Sequence, residues 1–171
     1  MLSFGKHVVN LQKASCMQQS DPKTSAGLEL CGLIFTVLRL NGRLVSAGDR
    51  IAAPFGLTSA RWQILGAVAM SPSVTTVAGH ARTMGLTRQG VNRIVGELVA
   101  DGYLKLQDNP GHRTAKLVVM TPEGQRALDN CMRAQAPWAN EVSEGLSPAR
   151  IANAHKLLQE VLLRTDQHAQ E

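Results

Sequence analysis

Across residues 75–123 the hydrophobic period of the chain switches from helical to alternating and back, an order that few small folds accommodate. The segment reads TTVAGHARTMGLTRQGVNRIVGELVADGYL, followed by KLQDNPGHRTAKLVVMTPEG. Thr75 or Thr76 can cap a helix on which Val77, Ala78, Ala81 and Met84 follow helical spacing. Gly85 supplies a permissive backbone for leaving that helix, and Leu86 is expected to plug the corner into the core. Thr87 is placed to cap a second helix, its hydroxyl accepting from an orphan amide one turn in. Val91, Ile94, Val95, Leu98 and Val99 form a single apolar stripe on that helix, and Asp101-Gly102 ends it.

Two strand patterns follow. YLKL at 103–106 and AKLVVM at 115–120 alternate as a hairpin would, with Leu104, Leu106, Leu117 and Val119 expected inward. Lys105, Lys116 and Val118 are then expected outward. The tip between them, DNPGHR at 108–113, is too polar and turn-rich to be buried. Helix, tight turn, helix and hairpin in this order make a winged helix-turn-helix. The fold class expected is therefore mainly α with a small β-hairpin wing.

That layout lays the outer face of the second helix in a DNA major groove. Here the first half of that face carries Arg88, Gln89, Asn92 and Arg93, with no acid before Glu97. Solvated helix faces ordinarily mix Glu and Lys with Arg. Arg instead pairs bidentately with guanine, and Asn or Gln with adenine, so these are the side chains that read base edges. On the wing, Arg113 is positioned to enter a narrow minor groove, where negative potential is concentrated. The expected DNA-contacting set is Thr87, Arg88, Gln89, Asn92, Arg93, His112, Arg113 and Lys116, and the expected partner is double-stranded DNA.

Three stretches resemble the MarR-type winged helix-turn-helix regulators: LTSARWQIL at 57–65, GLTRQGVNRIVGELVADGYL at 85–104 and HRTAKLVVMTPEG at 112–124. In the last, Thr121 suits a cap, Pro122 the first helical position and Glu123 the positive end of the helix dipole. The resemblance implies a homodimer with interleaved terminal helices, acting as a repressor, that binds a pseudo-palindromic operator and is released by a small ligand. Its commoner effectors are anionic aromatic compounds, for which Phe35, Phe55 and Trp62 are candidate lining residues. The family usually has an aspartate before the wing arginine, where this chain has His112. One branch senses organic peroxides through a cysteine in the first helix, and Cys31 has a comparable place. That branch holds its thiolate with nearby tyrosines, whereas the one tyrosine here, Tyr103, belongs to the wing, so Cys31 is expected to be a small buried hydrophobe. A winged-helix protein-interaction module without an operator is the alternative from another class.

Charge follows the proposed reading head. Between residues 58 and 121, Arg61, Arg82, Arg88, Arg93, Lys105, Arg113 and Lys116 face only Glu97, Asp101 and Asp108, whereas residues 122–171 are net acidic. Phosphate binding needs such an excess. The flanks read as helices: one over residues 27–49 with Leu28, Cys31, Ile34, Phe35, Leu38 and Val45, and one after Thr121 that Pro137 should kink or fray. The last begins at Ser147-Pro148 and carries Ile151, Ala154, Leu157, Leu158, Val161 and Leu162. A small head cannot cover all of these stripes, so some should meet a second subunit.

The expected organisation is a mobile arm (1–24), a dimerisation helix and linker (25–56), the DNA-binding domain (57–121) and C-terminal dimerisation helices (122–171). No apolar run is expected to span a bilayer and the N-terminus lacks a continuous signal-like region, so cytoplasm and no membrane partner are expected. No phosphate-cradling glycine motif, zinc-like Cys/His spacing or nucleophile elbow is present. The expectation is therefore no enzyme, no cofactor and no metal.

Overall fold

The computed structural model describes residues 23–112 and 114–168. The arm expected over 1–24 thus lies almost wholly outside the described residues, and so does Arg113. By internal contacts the chain forms two units, Met1–Leu44 and Val45–Glu171. The elements are α1 (Ser25–Ala52), a single 3-10 turn (Ala53–Phe55), α2 (Ser59–Met70), β1 (Thr75–Thr76), α3 (Val77–Thr83), α4 (Arg88–Ala100), β2 (Leu104–Gln107), β3 (Leu117–Met120), α5 (Pro122–Ser143) and α6 (Pro148–His168). This is a winged helix-turn-helix preceded and followed in the chain by long helices, mainly α as the sequence predicts.

Threonines set the start of four consecutive helices. Thr58, Thr76, Thr87 and Thr121 each accept from the amide three residues on, at Arg61, Gly79, Gly90 and Gly124. Each satisfies one of the amides that a helix start leaves unpaired. The exits use glycine where the backbone turns left-handed: Gly85 (φ 63°) between α3 and α4, and Gly102 (φ 77°) after α4.

The core of the head is α2, α4 and α5 packed with the sheet. Ile64 and Leu65 of α2, Val91, Val95 and Leu98 of α4, Leu104 of β2 and Val118 of β3 are buried together with Leu128 and Cys131 of α5. Trp62, Val68 and Val99 pack partly buried against this cluster, and Ala69 is exposed.

Four expectations need correction. The sheet has three strands in the order β1-β3-β2, because Thr75 and Thr76 pair with Val118 and Leu117 before α3 begins. Val118, expected outward, is the buried residue of β3, and Leu106 is 45% exposed. LVVM is apolar on both faces, so alternation could not choose its phase; flanking by Thr75 and Leu106 does. Leu86 is 49% exposed, because its amide bonds back to Ala81 O and the chain leaves before the side chain can reach inward. Lastly, the segment Ser25–Phe55 is long and apolar enough, by length and composition alone, to cross a bilayer, since its few charges are too widely spaced to interrupt it. α5 runs through Pro137 to Ser143.

The junction of α4, β2 and α5 is closely packed. Thr121 Oγ1 lies 2.7 Å from Gly102 O and 2.9 Å from Tyr103 O, and its amide donates to Tyr103 O at 3.1 Å. Gly124 then passes so near Tyr103 that a Cβ would fall 2.9 Å from the Tyr103 carbonyl carbon and 2.8 Å from Met120 Sδ. Gly124→Ala should therefore destabilise the protein by about 1–3 kcal/mol through overpacking. Gly96→Ala, with nothing within 4 Å of its Cβ, should stabilise α4 by about 0.5–1 kcal/mol. Urea denaturation of the two variants checks this, and equal effects would contradict it.

Candidate nucleic-acid interface

α4 presents its polar face because its apolar face is gripped. With Val91, Ile94, Val95 and Leu98 buried against α2, α3 and β2, the residues between them turn outward. Arg88, Gln89, Asn92 and Arg93 are all exposed. The first turn of α4 holds no acid, and Thr87 takes up only the Gly90 amide. The start of α4 therefore keeps unpaired amides and the positive end of its dipole beside Arg88, a setting that suits an anion.

The wing meets this face. A groove of about 180 Å³ is lined by Arg88 and Asn92 of α4, Thr76, Val77 and Ala78 at the start of α3, and Leu106, Thr114, Ala115 and Lys116 of the wing. Three of the residues expected to contact DNA, Arg88, Asn92 and Lys116, thus share one concave surface. Gln89 and Arg93 do not line it. His112, at the exposed tip, has Nδ1 3.4 Å from Thr114 Oγ1. The α3 and Thr114 contributions were missed, since nothing in their composition marks them; only the folded hairpin brings them to α4.

Ion pairs modify the charge pattern read from the sequence. Arg93 bonds Glu97 at 2.6 Å across one helical turn, and Lys116 lies 3.7 Å from Asp108. Both pairs are exposed, and an exposed pair is worth about 0–1 kcal/mol. A bidentate base contact is worth about 1–3 kcal/mol, so either cation can exchange partners. Arg61 differs. It pairs with Asp101, donates to Gly56 O at 3.2 Å and stands 5.8 Å over the Tyr103 ring, with only 15% of its side chain exposed. Although counted with the basic excess, it ties α2 to the end of α4.

The remaining candidates are scattered. Phe55 and Trp62 pack partly buried on the core, whereas Phe35 is 63% exposed. Cys31, expected to be buried, is exposed on α1; among the described residues the buried thiol is Cys131, whose pKa burial pushes up. Among the described residues no cluster of three or more His, Cys, Asp or Glu could hold a metal.

Comparison with known proteins accords with this architecture. The sequence pattern of the MarR family matches residues 55–113, which begin at the end of the 3-10 turn before α2 and take in α2, α3, α4 and β2. The chain belongs to the MarR family of transcription regulators. It is 36% identical over 135 residues to an uncharacterised protein of Mycobacterium tuberculosis, spanning 79% of this chain and 93% of that one. Among solved structures, a mutant MarR from E. coli in complex with operator DNA superposes with a TM-score of 0.69 at 19% identity, over 78% of this chain and 96% of that one. CouR from Rhodococcus jostii, bound to p-coumaroyl-CoA, gives 0.67 at 24% identity, over 75% and 90%. The two structures share the fold of this MarR-family chain.

His80 is buried to 2% exposure on α3, and its Nε2 has no partner among the described residues. Burial pushes its pKa below the ordinary imidazole value. The unfolded chain then binds a proton more readily than the folded one. The stability this confers is complete above the unfolded pKa of about 6.5 and is lost as pH falls through it toward the folded value. The melting temperature of the wild type should thus drop more between about pH 7.5 and 5 than that of His80→Leu. Parallel pH profiles would contradict a buried neutral imidazole.

Proposed function

We propose that this protein is a homodimeric repressor that occupies a pseudo-palindromic operator in double-stranded DNA and leaves it when a small ligand binds. The observation that carries the reading is the groove in which Arg88 and Asn92 of α4 and Lys116 of the wing converge beside the start of α4. An acid-free helix start and two cations on one concave wall suit a phosphate backbone. Arg88, Gln89, Asn92 and Arg93 read base edges in the major groove. Thr87 and Lys116 position the backbone, and the wing residues His112 and Arg113 reach the flanking DNA. Such a regulator works in the cytoplasm, and its chemistry is binding alone.

A dimer is favoured by what the terminal helices leave uncovered. Leu28, Ile34, Phe35 and Leu38 of α1 are exposed, and so are Ile151, Leu157, Leu162 and Leu163 of α6, which buries no residue at all. Apolar stripes of this size on a monomer mark contact surfaces. A second copy covers both kinds of stripe at once, whereas a bilayer would suit α1 alone. The dimer also gives release a geometric basis. Two recognition helices enter successive major grooves only when about 34–36 Å apart, and a ligand that prefers another spacing weakens binding by its differential affinity for the two states. The peroxide-sensing alternative gains no support: Tyr103 lies under Arg61, and Cys31 is exposed on α1.

The test is substitution along the face, using an operator selected from genomic fragments. Replacing Arg88, Gln89, Asn92 or Arg93 with Ala should each cost about 1–3 kcal/mol and relax preference at one operator position. Lys116→Ala should weaken every sequence alike and reduce the salt slope by about one. Full affinity and preference in all four α4 variants would refute the assignment, and failure of the wild type to bind any fragment would favour the protein-interaction module.

A further inference from the structure

The boundary between the two units of the chain falls inside α1, after Leu44, although α1 is a single helix from Ser25 to Ala52. Just inside the second unit, α1 meets the start of α2. Ala47, Gly48 and Ala52, all small, are buried on this part of α1. A Cβ on Gly48 would fall 2.5 Å from Ser59 Oγ and 2.9 Å from Ser59 Cβ, so the two helices approach to a distance that only glycine permits. Beside that contact Asp49 Oδ1 accepts from the Ser59 amide at 2.7 Å. The Ser59 side chain is held in turn by Gln63, whose Nε2 donates to Ser59 Oγ at 3.0 Å.

The first turn of α2 contains no acid of its own. Thr58 takes up the Arg61 amide, and Asp49, from another helix, takes up that of Ser59. A carboxylate in this place meets both a free amide and the positive end of the helix dipole, and such a charge-assisted bond is roughly twice as strong as a neutral one. Arg61, in the same turn, reaches the other way and pairs with Asp101 at the end of α4. A single turn of α2 thus receives α1 through Ser59 and holds α4 through Arg61.

We propose that Asp49 is a positioning residue: through the Ser59 amide it fixes the angle at which α1 joins the DNA-reading head, and with it the half-site spacing that the dimer selects. The spacing half rests on the dimeric DNA-binding function proposed above. Leverage gives so small a joint its effect. From Asp49 back to Ser25, α1 runs for about 36 Å at about 1.5 Å per residue. A tilt of about 10° at Asp49 displaces the far end by about 6 Å, close to two base-pair steps. The buried small residues resist such a tilt weakly, because apolar burial is non-directional. A hydrogen bond does resist it, since it weakens steeply once its angle falls below about 120°.

The first test needs no DNA. Spin labels on unnatural amino acids at Glu29 of α1 and Gln89 of α4, in chains diluted with unlabelled protein, report one intramolecular distance by double electron–electron resonance. Wild type and Asp49→Asn, which keeps an Oδ1 acceptor, should give the same narrow distribution, and Asp49→Ala one at least about twice as wide. Arg50→Ala, at the neighbouring exposed charge, should match wild type. An unchanged distribution in Asp49→Ala, or equal broadening by Asp49→Asn or Arg50→Ala, overturns the joint. The second test runs mobility shifts on a selected operator, on versions with half-sites about two base pairs nearer or farther apart, and on a lone half-site. Wild type and Asp49→Asn should prefer the selected spacing at least about tenfold. In Asp49→Ala that preference should fall below about threefold while affinity for the lone half-site stays within about twofold. An Asp49→Ala protein that weakens on every duplex alike, or keeps the spacing preference, overturns the operator half. If the wild type shifts no DNA, the DNA-binding reading falls, and the distance distributions alone decide the joint.

Discussion

The rotation of α4 about its own axis is fixed by four side chains, and every outward-facing feature of the head depends on it. Val91, Ile94, Val95 and Leu98 are buried against α2, α3 and the sheet, so the helix cannot turn without exposing them. Turning by one residue would swing Arg88 and Asn92 away from Lys116 and break up the groove they share. Burial of each such side chain is worth about 1.5–3 kcal/mol, far more than the exposed ion pairs that decorate the same helix. Packing therefore decides which residues can reach DNA, and charge decides what they do there.

Both ends of α4 are held as firmly as its middle. Thr87 starts it after the left-handed turn at Gly85, and at the other end Gly102, Tyr103 and Thr121 tie it to β2 and α5. Arg61, reaching from α2 to Asp101, adds a further tether. A helix fixed in rotation and at both ends presents its side chains with little ordering entropy left to lose on binding.

Most of this was legible in the sequence because it rests on local rules. Threonine caps, glycine exits and the α4 stripe each need only a few neighbouring residues to be recognised. What was misread depends on partners distant in the chain. β1 is two residues long and exists because β3 offers it an edge. The phase of β3 is set by its neighbours on both sides, not by LVVM itself. His80 looks like any surface histidine until α3 is folded against the sheet, and Arg61 looks like any basic residue until Asp101 and Tyr103 reach it. Cys31 and Leu86, assigned to the interior on hydrophobicity alone, lie exposed.

The central claim is that two copies of one rigidly held helix read two half-sites. Hydroxyl-radical footprinting on an operator selected from genomic fragments tests it most directly. The account predicts two protected patches on one face of the duplex, about 10–10.5 base pairs apart and related by an approximate dyad. A single patch at saturating protein, or even protection along any DNA offered, would contradict it.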